Sequence, residues 1–439
     1  MMRSINSWNS FLRIGIFVLL LSWGHGECLM AGSGSEKDSA AVKREWVAPP
    51  SLSSTMLRLG SDTLILPADS TLWRALFAQL DSLRQGKDTV ISIVQLGDSH
   101  IQAGYQSGML MRLFHKDFGN AGRGWISPLK LCRTNEPDDY FIRSSLKNWI
   151  YARATQRKKK TSIGPGGVGL YANVSAIDMD LIVTPKNGAG YAFNEVLLFQ
   201  GSHARPFEPT AKWKKAVSVS RGDTAICGVA VDTFRINRLT DTLNLRTVKN
   251  PDTSFRNQYY GFSLLNGNPG VLYHSIGLNG AMYVNYTSEE YVCRLAALRP
   301  ALLIVSLGTN ESFGRRFLKT EFASQVEAFI TLVKRHMPGT ALLLTTPPEC
   351  YRRVTVNKKR TYVRNDNTEK VAEVIREVAK REGLACWDLF TATGGLNSSK
   401  AWQRAGLMRN DRIHFVKEGY FEQGRMLYRA FLNTYNNFR

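Results

Sequence analysis

No Cys-x-x-Cys pair and no His-Glu-x-x-His occurs in the 439-residue sequence, so neither paired thiolates nor a helix-borne zinc site has support. Six cysteines are too sparse for a disulfide scaffold in a chain of this length. Fifteen prolines and 36 glycines make no low-complexity tract, and 44% hydrophobic content excludes a disordered or collagen-like chain. Acidic residues are the scarce charge: 36 Asp and Glu stand against 57 Lys and Arg, a formal net charge of +21. Such a balance favours contact with polyanions and says nothing about fold. No segment reaches the roughly 20 apolar residues needed to span a bilayer. At about 150 residues per domain, the length predicts two or three domains.

The first 31 residues read as a secretory signal peptide. Arg3 and Arg13 supply a positive n-region, Ile14 to Trp23 forms an apolar run of h-region length, and Gly24, Gly26 and Ala31 offer small residues for cleavage. Cys28 raises the alternative of a surface lipoprotein, although Glu27 stands where a lipobox needs a small residue. The chain is therefore expected to be exported, periplasmic or extracellular, with residues 32–69 as a leader whose Gly/Ser/Lys-rich start, Gly32 to Lys43, is a flexible linker. Export removes nucleic acid from the expected partners and makes an envelope or extracellular polysaccharide the natural polyanion. The run Arg157 to Lys160 reads as a solvated loop. Without Cys28, five cysteines remain (Cys132, Cys227, Cys293, Cys350 and Cys386), so at least one thiol is free and the pairing stays open.

Hydrophobic periodicity divides the rest. Ser70 to Leu83 carries a helical stripe with Ser70 as the expected N-cap, and Thr89 to Leu96 is a β-branched strand of the buried parallel kind. Gly97-Asp98-Ser99-His100 follows as a turn, then a helical pattern through Met109, Leu110, Leu113 and Phe114. Between about Asn135 and Asn268, short alternating segments (Val174–Met179, Ala192–Phe199, Ala225–Val231, Thr242–Val248) predict an all-β module. Strand and helix then alternate again to the C-terminus, which predicts a parallel sheet covered on both faces. The expected organisation is one α/β domain built from residues 70–134 and 269–439, interrupted by a β-sandwich at 135–268.

Three strand-end loops carry chemistry. Ser99 follows the first strand and precedes a helix, where backbone N–H groups converge on any oxyanion that forms. Asn310, in Gly308-Thr309-Asn310-Glu311, can donate its side-chain amide to the same place. Asp411 stands three residues before His414, close enough to hold Nδ1–H and leave Nε2 as a base. A Gly-rich turn, Gly277-Leu278-Asn279-Gly280, can bring a further backbone N–H near. Taken singly, each is more often a helix cap, a turn residue or a surface pair.

Their order, Ser, Gly, Asn, then Asp-x-x-His near the C-terminus, resembles the SGNH (GDSL-type) hydrolase superfamily. The resemblance covers roughly residues 70–135 and 270–439. It implies a flavodoxin-like three-layer α/β/α fold around a parallel sheet, with Ser99 as nucleophile, His414 as general base and Asp411 orienting it. The implied oxyanion hole is the Ser99 N–H, the Gly280 N–H and the Asn310 amide, with Gly277 as the competing glycine. His100 stands where the common motif has Leu, and Glu311 where Asp is frequent. The Gly119-Asn120-Ala121-Gly122-Arg123-Gly124 segment and the Leu278-Asn279-Gly280-Ala281 turn resemble an exported bacterial subgroup with an inserted β-sandwich, which includes peptidoglycan O-acetylesterase-like proteins. The implied function is a secreted serine esterase removing O-acetyl or similar groups from an acylated polysaccharide or peptidoglycan-like glycan, without metal or organic cofactor. A lipase or thioesterase of the same fold, a glycan-binding protein that has lost activity, and a polyanion-binding structural protein are the alternatives. In the inserted module, Trp149, Tyr151, Trp213, Tyr259 and Tyr260 are of the type that stacks on sugars, and burial in a β core is their commoner fate.

Overall fold

A computed structural model describes residues 63–172, 174, 176–185, 191–222, 226–247 and 257–438. The expected signal peptide, Cys28 and most of the leader lie outside the described residues. The chain begins with α1 (Thr71–Arg84), β1 (Val90–Gly97), the short α2 (Ser99–Gln102) and α3 (Tyr105–Phe118). Twelve strands follow: β2 (Gly124–Ile126), β3 (Tyr140–Arg143), β4 (Trp149–Arg153), β5 (Val168–Ala172), β6 (Asp178–Val183), β7 (Phe193–Gly201), β8 (Phe207–Pro209), β9 (Val217–Ser220), β10 (Val229–Thr240), β11 (Thr242–Thr247), β12 (Gln258–Leu265) and β13 (Gly270–Gly277). Helices then return, as α4 (Tyr283–Tyr286) and α5 (Glu289–Leu295) before β14 (Leu302–Ser306), and α6 (Lys319–His336) before β15 (Ala341–Thr345). A hairpin of β16 (Tyr351–Val356) and β17 (Lys359–Arg364) precedes α7 (Asn367–Arg381), β18 (Ala385–Trp387), α8 (Leu389–Ala392), α9 (Ser398–Arg404) and α10 (Lys417–Asn437).

Five parallel strands form the central sheet in the order β13-β1-β14-β15-β18. Counted along the chain within this sheet, the order is 2-1-3-4-5, so successive connections leave β1 in opposite directions. Alternation explains the layers. Ile91, Ile93, Leu302, Ile304 and Leu343 face one core with α1, α3 and α10, while Val94, Leu96, Leu303, Val305, Leu342 and Leu344 face the other with α6 and α7. This is the α/β/α fold expected from the sequence.

Two antiparallel sheets lie between β1 and β13 in the chain. One has seven strands, on the path β4-β5-β12-β7-β10-β9 with β2 paired to β12, and the other has four, in the order β3-β6-β11-β8. Their inward residues, Leu198, Phe234 and Phe262 from one and Met179, Leu181 and Leu245 from the other, share a core. That core continues without a break into the α6 and α7 side of the central sheet. Because β2 lies in the larger sheet, the all-β region draws in residues before 135.

Several local expectations shift. Ser70 makes no capping bond; Asp69 Oδ1 takes the Thr71 N–H at 3.0 Å and the Thr71 hydroxyl at 2.7 Å, since a carboxylate is the better acceptor. The strand expected at Val174–Met179 is β6, beginning at Asp178, because Met179, Leu181 and Val183 are the residues that alternate into the core. Four of the five singled-out aromatics are buried: Trp149, Trp213, Tyr259 and Tyr260. Their polar tips are satisfied inside, as where the Tyr259 hydroxyl donates to the Arg205 carbonyl at 2.7 Å and Trp213 Nε1 to Asn244 at 3.0 Å. They hold the sandwich together and present no platform to a sugar.

A disulfide joins Cys227, just before β10, to Cys293 in α5, while among the described residues Cys132, Cys350 and Cys386 are free and buried. Beside it Arg294 donates to the carbonyls of Ile163 (2.7 Å) and Cys227 (3.1 Å), so one turn of α5 is stapled to the sandwich twice. With its ends 66 positions apart in the sequence, the bridge is worth about 4 kcal/mol on a chain-entropy basis. The Cys227→Ser/Cys293→Ser double variant is expected to lose stability up to that amount. Urea unfolding under non-reducing conditions reads this as a lower midpoint, and an unchanged midpoint would show that the bridge contributes nothing.

Candidate active site

The loops after β1, β13 and β14 meet at the carboxyl edge of the sheet, at the point where the strand order reverses. Ligands of open α/β sheets bind in this crevice. Ser99 is the first residue of α2, half-buried, with a backbone N–H that has no partner inside the helix. Its Oγ lies 3.2 Å from His414 Nε2. His414 Nδ1 lies 2.9 Å from Asp411 Oδ2, which fixes the tautomer with the proton on Nδ1 and leaves Nε2 as the acceptor.

Asp411 is built to stay ionised. Burial would raise its pKa, but the His414 ring and the backbone N–H groups of Ile413 (2.9 Å) and His414 (3.0 Å) hold it at about 2. The loop closes on itself through Arg412, whose φ of 51° is left-handed, and through the Met408–Phe415 bridge. Behind the imidazole lies His100, with ring centroids 5.5 Å apart and its own Nδ1 3.0 Å from the Tyr420 hydroxyl. Burial drives the His100 pKa down to about 3, so a neutral ring packs against His414. This position, where the common motif has Leu, therefore packs its ring against the proposed base.

The two candidate glycines have different surroundings. Gly277 ends β13, and a Cβ there would lie 2.2 Å from the Gln102 backbone nitrogen; it is a packing glycine beneath α2. Gly280 has φ 77°, opens onto free space and lines the cavity beside Ser99. Its turn is held by Gln102, whose Oε1 accepts from the Asn279 N–H at 2.5 Å while Nε2 donates to Thr134 Oγ1 and the Asn135 carbonyl. Asn310 borders the same cavity. Both hydrogens of its amide are engaged, one by Asp98 Oδ2 at 3.1 Å and one by the Ala281 carbonyl at 3.0 Å. Use of this amide by an oxyanion therefore requires one of these bonds to be exchanged. Asp98, pushed up to about 7 by burial, also accepts the His100 N–H at 2.9 Å. Glu311 is buried and accepts the Tyr283 N–H at 2.8 Å, which ties the loop after β14 to α4.

The cavity above Ser99 and His414 measures about 520 Å³. Its far wall comes from the chain entering the sandwich: Asn135, Glu136 and Asp138, with Asp138 accepting from the Tyr105 hydroxyl at 2.7 Å. Arg409 and Tyr420 complete the rim. Sequence reading passed over Gln102, Tyr105, Glu136, Asp138 and Arg409, which lie outside any strand-end motif. The Gly119–Gly124 segment, by contrast, sits away from this cavity; its Arg123 pairs with Asp139 at 2.5 Å, both buried.

The sequence profile of the GDSL-like lipase/acylhydrolase family matches residues 240–420, a span that contains Gly280, Asn310, Asp411 and His414. Among solved structures, one described as a peptidoglycan O-acetylesterase in action is similar over 85% of this chain and 99% of its own, with a TM-score of 0.68 and 20% identity. A lipase/acylhydrolase from Enterococcus faecalis aligns over 38% of this chain and 77% of its own, at 18% identity and a TM-score of 0.26. A protein from Bacillus subtilis aligns over 67% and 90%, at 14% identity and a TM-score of 0.32. No curated protein matches the chain. Residues 240–420 thus match the GDSL-like lipase/acylhydrolase family, and the fold as a whole is shared with the peptidoglycan O-acetylesterase structure.

If Asn310 donates to the transition state, Asn310→Ala will lower kcat by about 10²–10³ with little change in KM. Steady-state kinetics on a small acetyl ester tests this, and a KM effect without a kcat effect would remove Asn310 from the oxyanion hole. Gln102→Ala, which frees the Asn279-Gly280 turn without removing a donor, is expected to cost about tenfold in kcat.

Proposed function

We propose that the protein is a serine esterase that removes O-acetyl or similar small acyl groups from a carbohydrate. The observation that carries this reading is the Ser99–His414–Asp411 relay, 3.2 Å and 2.9 Å between successive groups, at the carboxyl edge of the sheet. Ser99 Oγ attacks the ester carbonyl as His414 Nε2 takes its proton. The Ser99 and Gly280 N–H groups and the Asn310 amide receive the developing oxyanion, and His414 returns the proton to the sugar oxygen as it leaves. Water activated by the same imidazole then releases the acyl group.

The cavity favours a sugar over a lipid. Its walls include Asn135, Glu136, Asp138, Asn279 and Arg409, groups suited to hydroxyls, while its larger apolar surfaces are the rings of Tyr105, Phe415 and Tyr420. The similar structure is described as a peptidoglycan O-acetylesterase, which is in keeping with a glycan substrate for this chain. Export is proposed on the tripartite N-terminal sequence, and a disulfide between the sandwich and α5 suits an oxidising compartment. N-terminal sequencing of the secreted form should begin near residues 27–32; an intact Met1 in the cytosolic fraction would refute export.

Ser99→Ala is expected to abolish release of acetate from an acetylated glycan while leaving the thermal transition in place, a loss of ~10⁶ in kcat by analogy with other triad deletions. Near-wild-type turnover by the folded variant would overturn the assignment. Failure of the wild type on acetylated glycans, with turnover of long-chain acyl esters, would favour the lipase alternative.

A further inference from the structure

The hairpin β16–β17 stands out by its charge. Residues 351–364 hold six basic residues and no acidic one. The strands alternate side chains across two faces, and the Asn357-Lys358 turn takes the left-handed conformation at both positions, with φ of 48° and 61°. A two-stranded ribbon of this kind is marginal by itself, and this one is held at its base. The Tyr351 N–H donates to the Arg412 carbonyl at 2.8 Å and Arg412 lies over the Tyr351 ring at 4.8 Å, which fixes the hairpin to the Asp411–His414 loop. Asn365 donates to Ser312 Oγ at 2.7 Å and Asn367 to the Ser312 carbonyl at 3.2 Å, which fix it to the segment that follows Asn310.

Between hairpin and loop lies a second cavity of about 740 Å³, bordered by Arg315, Arg352, Arg353, Tyr362, Asp411 and Ile413. The Asp411–His414 loop is thus a partition, with His414 on the Ser99 side and Asp411 and Ile413 on the hairpin side. Arg315, Arg352, Arg353, Lys358, Lys359 and Arg360 are all exposed, and none makes an ion pair among the described residues. Arg364 alone of the hairpin's cations is paired, with Asp366 at 2.8 Å. Three of these cations, Arg315, Arg352 and Arg353, border the cavity and the other three lie at the hairpin turn; like charges so grouped repel each other, and an anionic ligand relieves that cost.

We propose that this groove binds an anionic, carboxylate-bearing polysaccharide, the same chain whose acyl ester reaches Ser99. The inference rests on the esterase reading of the site and extends it to the charge of the substrate. Three arginines around the groove present planar forks that match carboxylates. The groove meets the esterase site across a single loop, which favours a polymer carrying both the ester and the charge over a nucleic acid, which offers no such ester. The opposite wall of the first cavity, with Glu136 and Asp138, is acidic. A bound chain would therefore lie with its carboxylates toward the hairpin and its neutral, acylated unit over Ser99.

The test uses the full chain with polygalacturonate as the probe and its fully methyl-esterified counterpart as the neutral control. Polygalacturonate should bind, weaken as ionic strength rises toward ~0.15 M, and raise KM for a small neutral acetyl ester without lowering kcat. The Arg315→Gln/Arg352→Gln/Arg353→Gln variant should bind it about tenfold more weakly, three exposed charge contacts having been removed. Replacing Arg157, Lys158, Lys159 and Lys160 by Gln should change the Kd by less than about twofold. Equal binding of the neutral polymer, loss of binding in the 157–160 variant in place of the groove variant, tighter binding of duplex DNA, or binding that leaves KM unchanged would each overturn the proposal. The binding arm needs no turnover, so a wild type that binds polygalacturonate yet hydrolyses no ester would refute the esterase reading and leave the anion site standing.

Discussion

Asp98 accepts hydrogen bonds from two strand ends at once: the His100 N–H of its own turn and the amide of Asn310 after β14. Asn310 in turn reaches the Ala281 carbonyl after β13. Three loops from three adjacent strands are thereby joined through one carboxyl group that water does not reach. The arrangement depends on the reversal of strand order at β1, which places β13 on one side of it and β14 on the other. Without this knot, Ser99, Gly280 and Asn310 would belong to three independently mobile turns. Burial raises the Asp98 pKa because the desolvation of a charge outweighs the His100 N–H bond and the other favourable contacts. The site spends stability to gain fixed geometry.

Elements whose side chains alternate or repeat against a single core were legible in the sequence. The first central strand and α1 were visible as patterns, and the later strands and helices as an alternation of the two, because each buries a face set by its own period. The residues brought together by the fold at Ser99 were visible as well, each directly following a strand or preceding a helix. What could not be read depends on distance in space. Gln102 looks like an ordinary helical polar residue until its side chain is seen under the Asn279-Gly280 turn. Tyr105 and Asp138 are 33 residues apart and meet only once the chain enters the sandwich. The β16–β17 hairpin carries an alternating pattern, yet it falls between a strand and a helix where a connection is expected. The aromatics of the sandwich illustrate the opposite error, in which residue type suggests a surface role and packing assigns the interior.

Charge is distributed over this molecule with a direction that the net figure of +21 conceals. Carboxylates line the wall contributed by the entry to the sandwich, and arginines line the far side of the His414 loop. The His414 imidazole, the base of the proposed mechanism, stands on the boundary between them. In the proposed acyl transfer the imidazolium would have Asp411 as its nearest counter-charge, and the guanidinium groups behind that loop would oppose it. The tight hydrogen bonding of Asp411 keeps the nearer, favourable term dominant.

The continuous core beneath the sandwich bears on how such a protein can change over time. A module that buries its own interior can be exchanged between hosts as a cassette. Here Leu198, Phe262 and Met179 belong to the same packed interior as Val94, Leu303 and Phe329, and α5 is bound to the sandwich by Arg294 and a covalent bridge. The inserted sheets and the central sheet are therefore packed as one object, and a substitution on either side must be accommodated by the other. The hairpin, whose second strand is exposed along its whole length, is free of that constraint.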